Sequence, residues 1–169
     1  MHQLDARDHL GRFSSSALGV LSALVRGYSV GYSARCPGPP HPARKVWRAL
    51  TEPELLERWL AMPNDIKPVV GHRFELLAQP VPAAGFAGGP VRCEVLVADP
   101  ERELSIKWGP KWTVTWRLVP EGTGTRLFLS HEGFDPDDEF ERVSRRIMGG
   151  GWRSHVPRAL ERVLSALPG

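Results

Sequence analysis

Three segments in the second half of the chain alternate apolar and polar residues with a period of two, and this alternation constrains the fold more than any other feature. Leu104, Ile106 and Trp108 share one face, as do Trp112, Val114, Trp116 and Leu118, and then Leu127, Leu129 and His131. Ser105, Lys107, Thr113, Thr115, Arg117 and Ser130 fall on the other side. Gly109-Pro110 and Glu121-Gly122-Thr123-Gly124 separate the segments, so Leu104 to Trp108, Trp112 to Val119 and Thr125 to His131 read as an antiparallel meander. Upstream, Arg73 to Gln79 and Val91 to Ala98 read as two more strands, the second ending in the turn signature Asp99-Pro100-Glu101-Arg102. A sheet with one greasy face needs a cover. Trp152, Val156, Ala159, Leu160, Val163, Leu164 and Leu167 supply it at helical spacing, with Pro157 expected to bend that helix or delay its start.

The run Arg44 to Leu60 reads as two short amphipathic helices. Val46, Trp47 and Leu50 form one stripe; Leu55, Leu56, Trp59 and Leu60 form the second. Between them Thr51 suits a cap and Pro53 the first helical position. The first helix is expected only after Pro37-Gly38-Pro39-Pro40-His41-Pro42, which forbids regular structure. Ahead of that block, Tyr28 to Arg35 alternates like a strand, and Ala17 to Leu24 is either its hairpin partner or a helix. Residues 1–15 are polar and read as a frayed, disordered end, leaving one domain over 16–169. Met62-Pro63-Asn64-Asp65 breaks the pattern, and the proline- and glycine-rich Pro80 to Pro90 reads as a long loop of the kind that borders sites.

Charge and cysteine usage narrow the function. The 22 basic and 19 acidic residues give a formal charge of only +3 and are interleaved, so no basic stripe is available to track nucleic acid. The densest basic cluster, Arg142, Arg145, Arg146 and Arg153, follows Asp135, Asp137, Asp138, Glu139 and Glu141 and reads as a solvated, self-compensating face. Cys36 and Cys93 lack the spacing of a zinc site or a disulfide scaffold, which points to a reducing compartment and to no metal. The apolar run Ala17 to Val25 is about half the roughly 20 residues a membrane span needs, so a cytoplasmic chain without a membrane span is expected.

Several motifs together resemble the START-like, helix-grip superfamily, in the group related to the C-terminal domain of the activator of the 90-kilodalton heat-shock ATPase. They are His41-Pro42, the run from Val46-Trp47-Arg48-Ala49-Leu50-Thr51-Glu52-Pro53 to Trp59-Leu60, Val69 to Phe74, Cys93 to Leu96 with Asp99-Pro100, and Leu104 to Trp108. Gly124 to Leu127, Ser130 to Phe134 and Gly151-Trp152 complete the set, which covers about Ala17 to Leu167. The resemblance implies an α+β helix-grip fold: a curved antiparallel sheet wrapped around a long C-terminal helix, with two short helices after the first strand. It also implies a cavity between sheet and helix that holds lipids, polyketides or similar apolar molecules. The chain departs from the group's common pattern at Cys93, at Pro157 and in the Pro80 to Pro90 insert.

Such a cavity would be lined by the inward faces, so Trp59, Phe74, Trp108, Trp116, Leu129 and Trp152 are candidates for ligand contact, with ordinary core packing as the alternative for each. Trp47 reads as core. His131 points inward and is either a ligand-orienting or acid–base group, with an ordinary pKa of about 6.5, or a hydrogen-bonded structural histidine. His155 faces either that space or solvent. Gly149-Gly150-Gly151 reads as a hinge for the last helix rather than an anion loop. Three functions compete: a non-catalytic module that binds a small apolar or amphipathic molecule without a cofactor; a chaperone-associated interaction module using a patch such as Phe134, Phe140 and Met148; and a cofactor-free cyclase, dehydratase or hydrolase with His131 as acid or base. The last needs a second polar group beside His131.

Overall fold

The computed structural model describes residues 28–35 and 41–168. The segment 1–15, the Ala17 to Leu24 stretch and Cys36 lie outside them. Among the described residues six strands, β1 (Tyr28–Arg35), β2 (Arg73–Ala78), β3 (Gly89–Asp99), β4 (Glu103–Trp108), β5 (Trp112–Glu121) and β6 (Gly124–Phe134), form one antiparallel sheet in the order β1-β6-β5-β4-β3-β2. β1 pairs with β6, Tyr28 opposite Phe134 and Arg35 opposite Arg126. The meander's alternation holds: Leu104, Ile106, Trp108, Val114, Trp116, Leu118, Leu129 and His131 are all buried. Ser105, on the opposite parity, is buried as well, its hydroxyl 2.9 Å from that of Thr115. Register shifts at Tyr28/Val30 in the β1–β6 ladder and at Val95/Val97 in the β3–β4 ladder increase the local bend of the curved sheet.

Helix α1 (Ala43–Thr51) begins at the first residue after the proline block and buries Val46, Ala49 and Leu50. Helix α2 (Pro53–Leu60) has Pro53 in its first turn and ends where Ala61 turns left-handed, at φ 57°. Thr51 does not cap α2. Its hydroxyl donates back to the Trp47 carbonyl (2.8 Å), which closes α1, and Glu52 occupies the cap position without a side-chain bond. Trp47 is only partly buried and packs on the outside of the core.

The closing helix is longer than its apolar stripe indicates and is bent. Helix α3 (Glu139–Arg153) starts at the acidic run, and α4 (His155–Ala166) follows after a break at Ser154. Pro157 explains the break: its ring excludes the carbonyl four residues earlier, that of Arg153, while in the first turn of α4 its missing N–H costs nothing. The Ser154 N–H accordingly folds back onto the Gly150 and Gly151 carbonyls (3.1 and 3.3 Å). Gly149, Gly150 and Gly151 are therefore not the hinge; they lie inside α3. Helix α4 buries Ala159, Leu160, Val163 and Leu164 and packs on α1 and α2, and α3 crosses the β1–β6 end of the sheet. His41, buried, lies 3.0 Å from Glu161 of α4 through Nε2, and its carbonyl accepts from the Thr125 hydroxyl (2.9 Å), so the start of α1 is tied to both helix and sheet.

Candidate functional site

The space directly beneath the closing helix is filled. Trp59 and Trp116 meet edge-on with centroids 6.5 Å apart, Trp116 and Trp152 at 6.2 Å, and Trp152 and Trp108 at 6.4 Å. This chain of T-shaped contacts, the geometry indoles favour, runs through the middle of the molecule and packs the core there. Trp59 is further fixed by a hydrogen bond from Nε1 to the Ala49 carbonyl (2.8 Å). Of the candidate ligand contacts, Trp59, Trp116, Leu129 and Trp152 belong to this packed core. Phe74 is buried on β2 and stacks on His72 (centroids 6.1 Å apart), and His155 is exposed at the start of α4.

His131 is fully buried inside an aromatic box of Phe134, Trp112, Trp108 and Trp152, with centroids at 4.6, 5.5, 5.9 and 6.2 Å. The Trp152 indole N–H can only donate, so the 3.2 Å bond from its Nε1 makes His131 Nδ1 the acceptor and leaves the proton on Nε2. Nε2 has no partner among the described residues. Burial pushes the imidazole pKa down to about 3, which keeps the ring neutral. The second acid or base that acid–base chemistry at His131 requires is missing among the described residues. Cys93 is buried too, and burial pushes its thiol up to about 11, out of the range of a reactive thiolate.

A hollow does exist, at the mouth rather than in the centre. The β4–β5 hairpin sets Trp108 directly opposite Trp112 across its end, and these indoles form one wall of an apolar pocket of about 290 Å³. Phe140, Ile147 and Met148 of α3 form the facing wall. The Pro80 to Pro90 insert closes the third side: Val81 and Phe86 pair with each other through N···O bonds of 2.8 and 3.1 Å around a 3₁₀ turn at Pro82–Ala84. Gly88 makes that fold possible, because a side chain on it would stand 2.9 Å from the Pro80 nitrogen, at a φ of 85°. Of the eight residues that the sequence marks as candidates for the cavity, Trp108 is the one that lines this hollow. Phe140 is 46% exposed at the edge of the pocket, Met148 is half-buried in its wall and Phe134 is buried, so the three do not form one exposed patch.

The pocket's polar groups are few. Lys111 Nζ donates to the buried Glu141 carboxylate (2.8 Å), whose other oxygen accepts from the Asp135 N–H (2.6 Å). That hydrogen bond and charge raise the Lys111 pKa, so the ammonium is retained and the pair cancels its own charge. Ser144, buried in the α3 wall, adds one hydroxyl. Periodicity and composition do not mark Ser144 or Glu141 as site residues. The signal for them is Asp138-Glu139-Phe140-Glu141, a helix start with acidic residues three apart, which places Glu141 and Ser144 on the inner face of one helix. Among the described residues no cluster of three metal-ligating side chains occurs, and no helix is long and apolar enough to cross a membrane.

The same architecture recurs in solved structures. A Mesorhizobium loti protein known from its crystal structure is 34% identical, with a TM-score of 0.70 over 84% of this chain and 100% of its own. A Bacillus halodurans protein solved in solution is 28% identical, with a TM-score of 0.64 over 81% of this chain and 96% of its own. An AHSA1-like protein from Aeromonas hydrophila shares the fold at 18% identity, with a TM-score of 0.60 over 84% and 99%. No curated protein matches the chain significantly. The family model described as "Activator of Hsp90 ATPase homolog 1-like protein" matches residues 40–165, from the proline block through α4, and the chain belongs to that family, within the START-like helix-grip superfamily.

Proposed function

We propose that the domain is a binding module that holds a compact apolar or amphipathic molecule in the pocket between Trp108, Trp112, the Val81–Phe86 loop and α3. The observation that carries the reading is the make-up of that wall: mostly aromatic and aliphatic side chains, with one self-neutralised ion pair, the Gln79 amide and one serine hydroxyl. Burial of apolar ligand surface there is worth about 25 cal/mol per Å². The volume lies near the lower end of the roughly 300–1,000 Å³ typical of small-molecule sites, which favours a single ring system or one short chain over a two-chain lipid. Helix-grip relatives generally hold hydrophobic ligands, which supports the same reading. Because two tryptophans line the pocket, occupancy is expected to shift and quench intrinsic fluorescence. Titration with a panel of apolar alcohols, fatty acids and aromatic ketones tests this; Ala78→Leu and Ala84→Phe, which fill the pocket from two sides, are expected to abolish the response. Silence across the panel, or an unchanged response in both variants, would overturn the reading.

A further inference from the structure

Three of the acids at the start of α3 have partners other than the arginines that follow them on the helix. They are engaged elsewhere: Asp138 caps α3 by accepting from the Glu141 N–H (3.0 Å), Asp135 accepts from the Asp137 N–H (2.9 Å), and Glu141 is taken by Lys111 and the Asp135 N–H. Arg142, Arg145, Arg146 and Arg153 stand together around a concavity of about 310 Å³, with Asp135 as the one acid among the described residues of its wall. Arg142 donates to the Pro136 carbonyl (3.4 Å), and none of Arg142, Arg146 and Arg153 is ion-paired among the described residues. Spacings of three and four residues put the arginines on one face of α3, opposite the face that lines the apolar pocket. Gly149 lies in the same row. Pro136, which is exposed, gives the concavity an apolar edge.

We propose that this concavity is a second binding site, for a phosphorylated small molecule whose organic part rests on Pro136. Guanidinium groups bind phosphate oxygens bidentately, and Arg142, Arg146 and Arg153 set against Asp135 leave an excess of positive charge that suits a dianion better than a single carboxylate. Isothermal titration of the full chain with phenyl phosphate, inorganic phosphate and benzoate at low salt tests the site. Phenyl phosphate is expected to bind most tightly and to weaken as salt rises. The double variant Arg146→Gln/Arg153→Gln is expected to lose about tenfold or more in affinity, the loss of one or two charge-assisted bonds. Ala78→Leu, on the far side of α3, is expected to leave this binding intact. No binding of either phosphate, equal affinity for benzoate, or an unchanged affinity in the folded double variant would overturn the proposal.

Discussion

Burial among four aromatic rings holds the His131 imidazole neutral, and this makes stability depend on pH. In the unfolded chain the same side chain titrates at about 6.5. Folded, it titrates at about 3. Between those values the unfolded chain binds a proton that the folded chain refuses, so stability falls as pH is lowered, with a limiting slope of about 1.4 kcal/mol per pH unit. His131→Gln removes the group from the titration. Urea unfolding between about pH 7 and pH 5 is expected to show a variant that is weaker than the parent at the upper end but loses less stability on acidification; parallel slopes would show that another group is responsible. Two residues on, Gly133 has φ 96°, and a side chain there would stand 2.5 Å from the Lys111 carbonyl oxygen. Left-handed strain and a backbone clash act together, so Gly133→Ala is expected to cost on the order of 3 kcal/mol, read from the shift of its urea midpoint. The strand parity of His131 was legible in the sequence. Its protonation state was not, because that depends on rings contributed by β4, β5 and α3.

Elements with a periodic apolar stripe were readable from the residues: α1, α2, α4 and the meander strands stand where their spacing puts them. Helix α3 was not, for two physical reasons. Its first turns alternate acid and base without a broad apolar stripe, and its middle carries three consecutive glycines, each about 1 kcal/mol less favourable than alanine inside a helix. What holds α3 is the Asp138 cap, the Glu141 anchor and the burial of Trp152, and only the cap is a local signal. The glycines therefore remain a removable weakness. A side chain on Gly150 or Gly151 would meet nothing within 4 Å. Gly150→Ala and Gly151→Ala are each expected to raise stability by roughly 0.5–1 kcal/mol, a gain of a few degrees in Tm measured by calorimetry. A fall in Tm for both would mean that α3 needs backbone freedom there.

At the scale of the whole molecule, the position of the hollow follows from competition for the same interior. The sheet and the α4 stripe do meet around a common space, but Trp59, Trp116, Trp152 and Trp108 are large enough to occupy it by interlocking edge to face. Inward parity alone does not distinguish a residue that lines a void from one that fills it, so the sequence indicated which side chains face inward without indicating where the space remains. That space lies where α3, tied to the tip of the β4–β5 hairpin by the Lys111–Glu141 pair, leaves Trp112 partly uncovered beside the buried Trp108 and the Val81–Phe86 loop folds over the gap. The two regions are separable by substitution. Trp116→Phe thins the central stack, and incomplete collapse around the lost ring is expected to cost on the order of 1–2 kcal/mol. Because the pocket wall is built from other side chains, the variant is expected to keep the parent's affinity for any apolar probe that binds, while Ala78→Leu keeps the stability and loses the affinity. Urea unfolding and fluorescence titration on the same two proteins read both quantities. If thinning the core instead changed probe affinity as strongly as Ala78→Leu does, the ligand would have to sit beneath α4, and the closed interior would have to open to admit it.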